Sequence, residues 1–207
     1  MGLKKLFGYD VRDVWRQVAS DIGAEYEPGK QVLLQRPKIT LRLGTHTIVA
    51  DIHSPGTAGV QDDETWVRAR LESFHPFTFE IRDRTIWASA RRLFGRRSPT
   101  TGCPYADRRF EASSPDPERM RNLLSRPAIC SLIEGHRHMV ELAILRVDAE
   151  SDDVLPQPVH VLRYRELGHV RDGDRLKRIL LLCAEILAEL EQDGMRTEGL
   201  SESWGVV

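Results

Sequence analysis

The sequence predicts an α+β fold in which an antiparallel β-meander is covered by an N-terminal, a central and a long C-terminal helix. Three observations predict it. Apolar residues recur at helical spacing over 11–22 and again over 172–192. Between Gln31 and Arg82 the period changes to two. The strand-like runs are separated by short turn segments, which suit hairpins and leave little room for the long crossovers that parallel strands need. A helix followed by strands occurs on both sides of residue 105. Two related halves, 9–104 and 105–193, sharing a core are therefore one arrangement, and a single compact domain over 1–207 is the other, since the two stretches do not repeat as sequences. A chain of 207 residues can bury a sizeable core either way.

In the first helix Asp10 stands at the cap, Asp13 supplies a first-turn carboxylate, and Val11, Val14, Trp15, Val18 and Ile22 form one stripe that Gly23 ends. Both acids suit the positive end of the helix dipole and need no catalytic role. The meander follows as Ile39/Leu41/Leu43, Ile48/Ala50/Ile52, Val67/Ala69/Leu71 and Phe77/Phe79/Ile81, each alternating with polar residues. Ser54 to Asp63 reads as its longest hairpin loop. A short amphipathic helix is expected over Trp87–Phe94, a Gly/Pro/Ser-rich loop over Gly95–Pro104 and a strand over Tyr105–Ser113. Asp116 with Pro117 starts a helix carrying Met120, Leu123 and Leu124, and Pro127 starts another carrying Ile129, Leu132 and Ile133. Two strands, His138–Val147 and Val159–Tyr164, flank the acidic Asp148–Asp153 loop, and the first is apolar enough to be buried on both faces. The last helix, from about Asp172 to Gln192, carries Leu176, Ile179, Leu180, Cys183, Leu187 and Leu190, with a flexible tail over 194–207.

Composition places few limits on function. A formal net charge of -1 with 41% hydrophobic and 29% charged residues describes an ordinary globular chain and selects no partner. Charged Asp10, Arg12 and Asp13 fall where a signal peptide would be apolar, and the Ile179–Leu187 run is interrupted by Glu185 and too short to span a bilayer. Three widely spaced cysteines, Cys103, Cys130 and Cys183, contain no Cys-x-x-Cys pair. Reduced thiols in a bacterial cytoplasm are expected, with Cys130 and Cys183 in the core and Cys103, within Thr-Gly-Cys-Pro, accessible.

The stretch Tyr105-Ala106-Asp107-Arg108-Arg109-Phe110 followed by Ser114-Pro115-Asp116-Pro117-Glu118 resembles the Phe-Asp-x-x-Phe … Asn/Asp-Pro-Glu strand-to-helix signature of a group of uncharacterised bacterial proteins. An early helix with Trp15 and the ensuing meander are similar to that group as well. The resemblance implies a fold and a bacterial cytoplasm; it implies no catalytic residue.

The residues that alternate with the apolar positions of the first sheet carry the main functional expectation. Lys38, Thr40 and Arg42, Thr47, Asp51 and His53, and Trp66, Arg68 and Arg70 share one face. Arginine pairs phosphates and carboxylates through two parallel hydrogen bonds and stacks on aromatic rings, so Arg42, Trp66, Arg68 and Arg70 are candidate ligand-binding residues. The competing reading is a solvated face of cross-strand ion pairs, because Asp51, Glu72 and Glu80 lie in the same rows. A second basic feature, Arg91, Arg92, Arg96 and Arg97, lies in a stretch without acids. Few aromatics and no nucleic-acid motif accompany it, so nucleic acid is a less suitable partner than a protein or a small anion. His136-x-His138 and Asp51-x-His53 lack a third ligand, and no metal or cofactor is expected. Neither Cys103 nor Ser54 or Ser113 stands in a nucleophile motif, so no catalytic residue is assigned. The expected function is a non-enzymatic binding or interaction protein using the Trp/Arg sheet face or the Arg-rich loop. The alternatives are a hydrolase or transferase whose site gathers Asp51, His53 or Cys103, and an assembly role using an apolar patch on the last helix.

Overall fold

A computed structural model describes residues 10–29, 36–53, 63–71, 77–87, 98–147 and 159–202, with the backbone alone for 86–87 and 194–202. The fold is α+β: an eight-stranded antiparallel sheet with N-terminal, central and long C-terminal helices packed against it. The strands are β1 (Glu25–Glu27), β2 (Lys38–Leu43), β3 (His46–His53), β4 (Glu64–Leu71), β5 (Phe79–Asp83), β6 (Phe110–Ser113), β7 (Met139–Val147) and β8 (Val159–Leu167). Their spatial order is β1-β2-β3-β4-β8-β7-β5-β6. Strands β2, β3 and β4 form the meander expected from the sequence, with the short β1, which was not expected, at its edge; β8 then pairs with β4, and β5, expected as the next strand of the meander, lies instead between β7 and β6. One continuous sheet results.

Helix α1 (Val11–Ile22) starts at Asp10, whose carboxylate accepts from the Arg12 N–H at 3.2 Å, and stops at Gly23 in the left-handed region, φ 68°. Its Trp15 is fully buried and donates Nε1–H to Val170 O at 2.9 Å. A four-residue helix, α2 (Arg84–Trp87), follows β5. Helices α4 (Pro117–Leu124) and α5 (Pro127–Glu134) begin at the two prolines, and Asp116 caps the first by accepting from the Arg119 N–H at 3.0 Å.

Two segments differ from the sequence expectation. The strand expected over Tyr105–Ser113 begins only at Phe110, and Pro104–Arg109 is a helix, α3. Tertiary contacts hold it: Asp107 accepts from Thr101 N–H at 2.6 Å and Thr101 Oγ1 at 2.7 Å, while Arg84 donates to the Asp107 and Phe110 carbonyls. The last helix, α6 (Gly173–Glu202), continues past Gln192 and Gly194. Met195, Arg196, Glu198 and Leu200 are good helix formers, and Gly194 and Gly199 each cost only about 1 kcal/mol against alanine.

Cys103 is not an accessible thiol. It is fully buried and joined to Cys130 in a disulfide, Cα atoms 5.5 Å apart, which ties the start of α3 to α5. Cys183 is free and buried, and burial pushes its thiol up to about 12.

The inward rows, Ile48/Ala50/Ile52, Val67/Ala69, Leu162/Tyr164, Leu142/Ile144 and Phe79/Ile81, share one core with the buried side chains of α1, α3, α4, α5 and α6. Helix α6 is clamped across it by Lys177 to Asp21 at 2.5 Å, Arg126 to Glu189 at 2.9 Å, and Thr45 to Glu191 at 3.1 Å. These helices pack on one face, so the other face of the sheet carries none of them. No described helix is long and apolar enough to cross a membrane.

Candidate binding face

Antiparallel register fixes what the helix-free face presents. One row crosses all eight strands through successive neighbours: Glu27, Lys38, Asp51, Trp66, Arg165, Glu141, Arg82 and Glu111. Charges alternate in sign on both sides of Trp66, the arrangement in which cross-strand neighbours attract. In the adjoining row Arg68 and Arg163 are register partners. Like charges facing each other repel, so both need partners of their own.

Neighbouring carboxylates supply them. Arg68 pairs with Asp51. Arg163 donates to Glu141 at 2.6 Å, and Arg165 reaches Glu141 at 3.1 Å and Glu64 at 2.8 Å. Arg82 pairs with Glu80 and lies 3.4 Å from Glu141. The Glu141 side chain is only 2% exposed although it points away from the core, because these guanidiniums cover it. Its burial, with that of Ala143, encloses the middle of β7 on both faces as its apolar content predicts.

Trp66 is the centre of this network. The guanidinium carbons of Arg68, Arg163 and Arg165 lie 5.4, 5.3 and 5.3 Å from the Trp66 ring centroid, close enough for cation–π attraction. The His53 ring packs on it at 4.2 Å between centroids, and Nε1–H donates to Glu64 at 2.6 Å. Burial pushes the Glu64 carboxyl up, but hydrogen bonds from Arg165 and Trp66 outweigh it and hold the group below the usual carboxylate range. For Arg165 burial favours loss of the proton, and the Glu64 and Glu141 carboxylates more than offset it. Glu80 goes the other way: burial and the nearby Glu141 charge raise it against the pull of Arg82.

The sequence-predicted residues divide accordingly. Trp66 and Arg68 are at the centre. Arg70, two residues along β4 on the same face, is exposed and has no ion-pair partner among the described residues. Arg42 is near the end of β2, 3.4 Å from Glu25 and with no other ion-pair partner among the described residues. Arg91, Arg92, Arg96 and Arg97 lie outside the described residues, as do all of Asp148–Asp153 and, but for Trp87 and Asp63, the expected Trp87–Phe94 helix and Ser54–Asp63 loop. Sequence reasoning missed Arg163, Arg165, Glu64 and Glu141. The signal for the arginines was present, since both alternate with Leu162 and Tyr164 in β8.

The other candidate chemistries do not assemble. Asp51 and His53 engage Arg68 and Trp66 and not each other. Cys103 is in the disulfide and is not a thiol nucleophile. His136 is buried against Tyr164 whereas His138 is exposed, and no group of three or more His, Cys, Asp or Glu side chains is placed to hold a metal among the described residues. A hollow of about 540 Å³ beside α4, lined by residues that include Asp116, Arg119, Asn122, Arg126 and Asp193, does not include Trp66 or its arginines. On α6, Leu181 is the exposed large apolar side chain among the described residues, so no broad apolar patch is formed there.

The chain matches no family model, no curated protein and no solved structure. The part of the 105–118 stretch expected as a strand is helical up to Arg109, and Asp116 with Pro117 starts a helix as expected.

Proposed function

We propose that the chain is a non-enzymatic binding protein that engages a protein partner through the helix-free face of its sheet, with Trp66 at the centre of contact. One observation carries the reading: a half-buried tryptophan surrounded by guanidiniums lies in the middle of a broad sheet face that α1, α3, α4, α5 and α6 leave uncovered. Tryptophan and arginine are the residues that most often dominate protein interfaces, where a central aromatic is desolvated within a polar rim.

The charge layout favours a protein over a small anion. Arg68, Arg163 and Arg165 already hold Asp51, Glu64 and Glu141, so a small anion must displace a carboxylate bonded in place. A protein surface can add its own carboxylates at Arg70 and Arg42 and lay an apolar side chain over Trp66 without breaking those pairs. The face therefore suits a partner with acidic groups around an apolar ridge. A bacterial cytoplasm remains the proposed setting, on the ground of the signature that the 105–118 stretch resembles; the Cys103–Cys130 disulfide is the observation that weighs against it.

Affinity capture from the native source, with the tagged chain as bait, tests the reading. A discrete partner retained by the wild type and by Arg121→Ala, and lost with Trp66→Ala combined with Arg70→Ala, is the expected result. A partner retained equally by the double variant would place the contact elsewhere.

A further inference from the structure

A second cationic feature lies at the end of the sheet where β7 begins, with β8 on one side and β5 on the other. On the β8 side, Glu166 is the register neighbour of Met139, is 1% exposed, and holds Arg175 from the first turns of α6. On the β5 side, Arg82 pairs in register with Glu141, which brings the next residue, Asp83, beside the first residues of β7. Asp83 is 6% exposed and holds Arg109 through Nε at 3.1 Å and Nη2 at 2.9 Å. Two buried carboxylates thus fix one guanidinium on each flank of the strand entry.

Between those flanks the chain itself supplies Arg137 and His138, both exposed, and Arg178 follows Arg175 on α6. Neither Arg137 nor Arg178 has a carboxylate partner among the described residues. His138 titrates below the ordinary imidazole value because of Arg175 first, then burial, Arg109 and Arg137, so all three cations are close enough to act on one ring. Burial and the neighbouring Arg178 cation likewise lower Arg175. Positive charge is therefore concentrated at this end beyond what Glu166 and Asp83 neutralise, and two of its members are held rigidly by bonds that a ligand need not break.

We propose that Arg109, Arg137, His138, Arg175 and Arg178 form a binding site for the phosphate group of a small molecule. Guanidinium forks match phosphate oxygens in pairs, and donors already anchored on both flanks lose little freedom when the ligand arrives. The cluster is compact and confined to one strand entry, which fits a single dianionic group better than an extended polyanion. It is independent of the Trp66 face and stands whether or not that face binds a protein.

Inorganic phosphate and pyrophosphate, titrated into the full chain by calorimetry while the His138 ring proton is followed by NMR, test the site. Bound phosphate adds negative charge beside His138, so its titration should move to higher pH on saturation. Arg137→Ala and Arg178→Ala, both at exposed positions, should each weaken binding about tenfold, the loss of one charge-assisted hydrogen bond. Arg121→Ala, an exposed arginine on α4, should leave it unchanged. An unmoved His138 titration in excess phosphate would overturn the proposal. So would equal affinities for all three variants, or binding of a single-stranded oligonucleotide by a chain that ignores both phosphates.

Discussion

Glu141 is a buried acid on the outward side of a sheet, and three guanidiniums meet on it. Removing its charge would leave Arg82, Arg163 and Arg165 close together without the anion that reconciles them. Glu141→Gln should therefore destabilise the fold by about 3 kcal/mol, the scale for breaking one side of a buried pair. A midpoint in urea unchanged from wild type would show that the arginines simply turn to solvent. His136 gives a prediction of opposite character. Its ring is fully buried, edge-on to Tyr164, and burial lowers it to about 4, with the Arg178 and Arg175 cations pulling the same way against a weak contact from the Arg178 backbone. The unfolded chain takes up this proton near pH 6.5 and the folded chain does not. The stability that neutral His136 contributes is therefore complete above pH 6.5 and falls as pH drops, by up to 1.4 kcal/mol per unit, until it levels near pH 4. The total is about 3 kcal/mol. His138 and His160 are lowered too and add to the slope, so the difference between wild type and His136→Leu is the quantity to read. Denaturation at pH 7 and pH 4.5 checks it, and parallel losses in the two proteins would refute the assignment.

Among the elements, α3 is the one whose conformation is imposed from outside. Six residues are too few to be helical alone, and its N-cap, Cys103, makes no side-chain capping bond. The disulfide to Cys130, 27 residues away, anchors it. In the chain-entropy picture a loop of that length is worth about 3–4 kcal/mol, so Cys103→Ser should lower stability by that order. Thiol titration after denaturation of the natively purified protein should find one reactive group, Cys183; three would mean the pair is reduced in its native setting. The sequence reading of this segment as a strand failed for the same reason. Ala106, Phe110 and Ala112 fall on one side of a period-two pattern, and nothing local reveals Thr101 bonding Asp107 or Arg84 bonding two carbonyls. Elements fixed by local chemistry were legible: Asp10, Gly23, Asp116, Pro117 and Pro127 mark helix ends where the structure has them. Strand β8 was legible only as far as Tyr164, because Glu166 occupies an inward position that alternation reserves for apolar residues, and its partners Arg175 and the Tyr164 hydroxyl come from packing and register.

At the scale of the molecule, the decisive feature is the pairing of β4 (Glu64–Leu71) with β8 (Val159–Leu167), which joins strands separated by nearly half of the chain. Periodicity showed that each strand of the meander has one polar side. It could not show that Arg163 and Arg165 would stand beside Trp66, so the candidate face was legible as Trp66, Arg68 and Arg70 and not as the network that surrounds them. The same pairing gathers the helices on one face of a continuous sheet and makes the other broad enough to meet a folded partner. A photocrosslinking residue at Arg70, compared with one at the exposed Leu181 on the helix side, tests that claim most directly when each is activated in native extract. The account predicts one discrete crosslinked protein from position 70 and none from position 181. A product from position 181 with nothing from position 70 would contradict it.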